Sequence, residues 1–174
     1  MMKLRRLFSL ALGVLLLALS TGAAFAADYL GTGYFSTNQM YRCHLGTYTT
    51  ENSAAYSKWA TTTDLIGYTS CNSNNITTTG LDYGNTGWGG YAYICNVGGG
   101  CGNYNATYAS CTARSNVYYL RTWTYTQRQY VATHELGHCW SLGHRSDSTS
   151  VMQSGQLSFI DPNATDISLV NSRY

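Results

Sequence analysis

Two segments of the chain carry apolar and polar positions at helical spacing. In the run ENSAAYSKWATTTDL, between Thr50 and Leu65, Ala55, Trp59 and Thr62 share one face, and Ala55 with Trp59 makes its apolar contact. Asn52 or Ser53 stands where an N-terminal cap belongs. The second segment opens on Thr126-Gln-Arg-Gln129, the Thr-x-x-Gln form of a capping box, and predicts a helix from Gln127 to about Leu142. Ala132, Leu136 and Cys139 or Trp140 lie on one face of it, His134 and His138 on another. Gly143 is its natural stop, because glycine enters the left-handed conformation without a steric penalty. Strand signals are fewer. Tyr91-Ala-Tyr-Ile-Cys95 reads as a compact strand before a glycine loop, and Asn116 to Thr124, dense in β-branched and aromatic residues, predicts the strongest strand. From Cys71 to Gly90 the Asn, Thr and Gly content predicts turns and short strands.

The apolar pattern at the start of the chain is of a different kind. Lys3, Arg5 and Arg6 precede an apolar run from Leu7 to Leu19, and small residues follow through Ala26. That order predicts a secretory signal peptide over 1–26, leaving a single domain over 27–174 and a secreted, extracellular product. The run is too short for a membrane-spanning helix, which needs about 20 apolar residues, so no membrane partner is expected after cleavage.

Removing that segment changes the charge balance. Without its three bases, seven Lys and Arg face eight Asp and Glu, so no basic patch remains and nucleic acid is not an expected partner. All six cysteines (Cys43, Cys71, Cys95, Cys101, Cys111 and Cys139) fall after residue 26, an even number that predicts disulfides in an exported chain. The spacing does not choose the pairs, although Cys95 and Cys101 bracket a glycine loop they could close into a small ring. No Cys-x-x-Cys pair points to a cysteine metal site. Sixteen tyrosines and four tryptophans argue for a folded core despite the many Asn, Thr, Ser and Gly residues.

The chemistry gathers in His134-Glu-Leu-Gly-His138. Residues four apart on a helix sit one turn apart on one face, so both imidazoles reach one cation. Glu135 is rotated by about 100° from His134, where its carboxylate can approach a water on the metal without entering the coordination shell. A catalytic zinc needs three protein ligands and an open position, and His144 is the third. His44, beside Cys43, reads as an ordinary polar residue.

The segment His134 to His144, HELGHCWSLGH, resembles the metzincin zinc signature HExxHxxGxxH, and Ser150-Val-Met152 resembles the methionine turn of that clan. The likeness is nearest to small matrixin-like secreted bacterial metalloproteases. It is strong from Tyr130 to Met152, and the remaining segments follow in the expected order, including a closing helix around Asp161 to Asp166. The resemblance implies an α+β, zincin-like fold, a twisted mixed sheet packed on two long helices with a short C-terminal subdomain and helix. It implies one catalytic Zn2+ on His134, His138 and His144, Glu135 as catalytic base, Met152 packed under the metal, and a protein or peptide substrate laid along an edge strand within Gly90 to Cys95. A monomer is expected. Calcium sites are not evident.

Two departures from the pattern stand out. Serine occupies position 141, where the signature has glycine, so Ser141 must turn left-handed at a cost of about 1–2 kcal/mol or the helix must run on to Gly143. Ser154 replaces a tyrosine found two residues past the methionine in some relatives. Arg42-Cys43 faintly resembles an inhibitory cysteine, but a disulfide is the reading for Cys43. The residues shaping specificity are expected between Gln153 and Phe159. Set against a zinc endopeptidase are a catalytically silent metal-binding or cell-surface interaction protein, and an accidental motif in a disulfide-rich surface protein.

Overall fold

The computed structural model describes residues 28–155 and 159–174. The signal-peptide reading of 1–26 and the specificity positions 156–158 lie outside them. In chain order the elements are β1 (Gln39–Gly46), α1 (Thr49–Thr62), β2 (Ile66–Thr69), β3 (Ile76–Leu81), β4 (Gly90–Asn96), β5 (Tyr108–Asn116), α2 (Val117–Leu120), α3 (Tyr125–Cys139) and α4 (Ala164–Asn171). The strands form one sheet in the order β2-β1-β3-β5-β4. All neighbours are parallel except β4, which runs antiparallel to β5 at the edge. The fold is therefore α+β, a five-stranded mixed sheet against α1 and α3 with a short C-terminal helix.

Trp59 on α1 explains how the two long helices meet. Its side chain is fully buried and its indole Nε1–H donates to the Thr133 carbonyl on α3 at 2.9 Å. A buried indole needs such a partner, and truncating one costs about 3–5 kcal/mol. Glu51 in the first turn of α1 pairs with Arg128 of α3 at 2.7 Å, which also sets a negative charge at the positive end of α1. That tertiary hold replaces the expected cap. Helix α1 starts after Tyr48 with no side-chain cap, and Asn52 lies buried inside it.

Two further expectations are corrected. The strand predicted over Asn116 to Thr124 ends where it was to begin: β5 precedes it, and Val117–Leu120 is helical. Asn116 causes the break. Its Oδ1 accepts from the Tyr118 and Tyr83 amides, and its Nδ2 donates toward Gly84, Thr86 and Trp88, so one buried side chain caps α2 and pins the 83–88 loop. The capping box of α3 is Thr124 with Gln127, two residues earlier than expected, and Gln129 is buried in the helix.

All six cysteines are paired: Cys43–Cys71, Cys95–Cys101 and Cys111–Cys139. The small ring around the glycine loop is thus present, and Cys43 is a disulfide cysteine. Such bonds persist in oxidising compartments. Among the described residues no helix is long and apolar enough to cross a membrane. The 95–101 ring also covers part of the sheet edge. Gly102 N–H donates to the Ile94 carbonyl at 2.9 Å and Asn96 N–H to the Gly100 carbonyl at 3.0 Å, so the outer edge of β4 is occupied from Ile94 onward.

Candidate metal centre

Helix α3 presents His134 and His138 one turn apart, and the chain after it returns His144 to the same point. The His144 Nε2 lies 3.2 Å from the Nε2 of His134 and 3.2 Å from that of His138. The other nitrogen of each helix ligand is committed. His134 Nδ1–H donates to the Val151 carbonyl at 2.8 Å and His138 Nδ1–H to the Leu142 carbonyl at 2.7 Å. A carbonyl only accepts, so both rings carry their proton on Nδ1 and turn a lone pair inward. Burial first, then the neighbouring histidine's charge, lowers the His134 pKa to about 3. Burial lowers His138 to about 4 and also lowers His144, which remains exposed. Neutral imidazoles with converging lone pairs repel one another but suit a cation. Ligands about 2.0–2.1 Å from a tetrahedral zinc stand ~3.3 Å apart, close to the spacing here.

Glu135 lies between α3 and β4. Burial pushes its carboxyl up to about 8, opposed by a hydrogen bond with the Ala92 backbone. The room for it comes from a glycine. A Cβ on Gly90 would stand 2.4 Å from Glu135 Oε1 and 2.6 Å from Val131 Cγ1, so any other residue there would displace the Glu135 and Val131 side chains. Clefts open on both sides. One of about 490 Å3 is walled by Trp88, Trp123, Tyr130 and Val131, and one of about 210 Å3 by Leu30, Tyr91, Ala92 and Tyr104. Glu135 and His144 line both.

Met152 is fully buried against α3. A Cβ on Gly137 would lie 2.2 Å from its Sδ, so the glycine inside the HELGH segment lets the thioether press on the helix backbone. The turn that carries Met152 hangs on the buried Asp166 carboxylate. Asp166 accepts from Ser150 Oγ at 2.7 Å and Val151 N–H at 3.1 Å while closing the capping box of α4 with Asn163. Because the Val151 carbonyl orients His134, Asp166 acts on that ligand at one remove. Tyr130, one turn before His134, donates to the Gln153 carbonyl, and burial raises its pKa well above the usual phenol range. Gly90 was expected only as the start of the substrate-bearing edge strand, and Tyr130 and Asp166 were not among the residues expected at the site. Only Asp166 had a local signal, its position three after Asn163 in a capping box.

Residue 141 decides how His144 arrives beside the other two histidines. Ser141 adopts φ 73°, so the serine itself takes the left-handed position and α3 ends at Cys139, short of Leu142 and without using Gly143. Leu142 N–H bonds to the Gly137 carbonyl at 3.0 Å and Ser141 N–H to the His138 carbonyl at 2.8 Å, the paired bonds of a Schellman turn. The left-handed region costs a non-glycine residue about 1–2 kcal/mol, which must be offset by contacts of the serine. His44 stands apart from the site on β1, with its Nδ1 2.7 Å from Thr78 Oγ1.

These features define an α+β protein with a three-histidine cluster, two members buried and His144 exposed, that could hold one metal ion with a carboxylic acid beside it. Neither a protein-family model nor a curated protein matches the chain.

Proposed function

We propose that the chain is a secreted zinc-dependent endopeptidase of the metzincin type, acting as a monomer on protein or peptide substrates. The observation that carries this reading is the convergence of three imidazoles, with His144 Nε2 3.2 Å from the Nε2 of both His134 and His138, beside the Glu135 carboxyl and an open sheet edge. His134, His138 and His144 hold the metal. One zinc there supplies Lewis-acid activation of water and of the scissile carbonyl. Glu135 takes the proton of the attacking water and returns it to the leaving amine. Its raised pKa in the metal-free site falls when a dication stands beside it, which favours the base form.

Substrate backbone pairs with the part of β4 left uncovered, Gly90 to Tyr93, by β-augmentation. Side chains flanking the scissile bond enter the two clefts, whose described walls carry no charged group apart from Glu135 and are rich in aromatic rings. The test is metal content of the purified protein with casein cleavage, with and without a chelator. One zinc per chain and chelator-sensitive cleavage are expected. Zinc without cleavage of casein or of a broad peptide library would favour a binding role, and no metal after zinc is supplied would overturn the reading.

A further inference from the structure

The turn after α3 is tied to two distant segments of the chain. Ser141 is fully buried. Its hydroxyl donates to the Gly33 carbonyl at 2.6 Å and accepts from Arg173 Nη1 at 2.5 Å, with the Tyr108 hydroxyl 3.2 Å away. Its carbonyl accepts from Leu30 N–H at 2.9 Å. Arg173 also donates to the Gly33 and Gly31 carbonyls at 2.9 and 2.7 Å, and its guanidinium lies 3.6 Å from the centre of the Tyr29 ring.

On its other side the same turn faces the histidines. Leu142, the next residue, offers the carbonyl that orients His138, and Gly143 N–H bonds to the Asp28 carbonyl at 3.0 Å immediately before His144. Resting on the reading of the three histidines as a metal site, we propose that Ser141, clamped by Arg173, is a positioning residue for His138 and His144. Glycine would make the same left-handed turn without strain. What serine adds is a hydroxyl that fixes the turn against the 28–34 segment and against Arg173. Without that hydroxyl the Leu142 carbonyl and the His144 backbone keep their local conformation but lose their fixed direction. Orientation of ligands by such outer contacts typically changes metal affinity 10–100-fold.

Ser141→Gly is the decisive variant, because it keeps the turn and removes only the hydroxyl. Zinc affinity is measured by competition with a chromophoric chelator, and ligand geometry by the visible absorption of the cobalt-loaded protein. We expect Ser141→Gly and Arg173→Gln each to weaken zinc binding about 10-fold or more and to shift the cobalt bands. The double variant should weaken binding by less than the sum of the two single effects, since the two side chains share the Ser141–Arg173 contact. A Ser141→Gly protein with wild-type zinc affinity and an unchanged cobalt spectrum would overturn the proposal while leaving the metal site intact. A wild-type protein that binds neither ion would overturn the metal reading and this inference with it.

Discussion

The two ends of α3 are built in opposite ways. At its start, Thr124 and Gln127 exchange hydrogen bonds between a side chain and an amide in each direction, and everything needed lies within four residues. At its finish, the turn depends on Leu30, Gly33, Tyr108 and Arg173, while Cys139 is bonded to Cys111 on β5. The start has only a helix to begin, and a local signal suffices. The finish must aim His138 and His144, and a direction in space can be fixed only by contacts from several parts of the fold. Chemistry has been placed at the end where the fold, and not the local sequence, sets the geometry.

The sharpest way to separate the ends is through function. Glu135→Gln, in the ligand-bearing half, should lower peptide hydrolysis about 10³-fold with zinc content unchanged, as metal analysis alongside a fluorogenic peptide assay would reveal. Turnover near wild type would remove Glu135 from its role as base.

Within α3, acid should act on the histidine-bearing end, and His44 on β1, lowered to about 4 by burial, adds a contribution from outside the helix. His134 and His138 have folded-state pKa values near 3 and 4 against 6.5 when exposed. Between those values the unfolded chain binds the protons first, so this contribution to stability is complete above pH 6.5 and is lost as pH falls toward 4. Thermal melts of the chelated protein should show Tm falling by about 10 °C over that range. His138→Gln should flatten the profile; an equally steep profile would place the acid sensitivity elsewhere.

The smallest effect is expected at the other end. Thr124→Ala should cost about 1 kcal/mol, read as a drop in Tm that is the same at every pH, with zinc affinity unchanged. A change in zinc binding would mean the two ends are coupled more tightly than their contacts imply.

This division also governs what the sequence makes legible. Helices α1 and α3, strand β4, the closing helix and the histidine cluster are read from periodicity, spacing and resemblance, because each is written in neighbouring residues. The Asn116 to Thr124 stretch misleads, since strand propensity there yields to one buried asparagine whose partners lie about 30 residues away. Strand β5 hides for a related reason: it packs Cys111, Ala113 and Ser115 inward, small side chains that carry no strong apolar alternation. The left-handed Ser141 was one of two open courses, and only contacts with Gly33 and Arg173 could decide between them. Gly90 is similar, a glycine whose reason is a carboxylate from another element.

The ties of the helix-ending turn join residues more than a hundred positions apart, 108 for Ser141 to Gly33 and 140 for Arg173 to Gly33. Loops of that length close late, after the entropy of nearly the whole chain has been given up. The order of events during folding follows. Strands and helices form while His144 is still unplaced, and the three histidines come together only with the last long-range closures. For the proposed endopeptidase, a chain in the act of folding would therefore be harmless to the unfolded segments around it, its own copies included. Stopped-flow refolding in the presence of cobalt should register this as visible colour that lags behind the burial of the tryptophans.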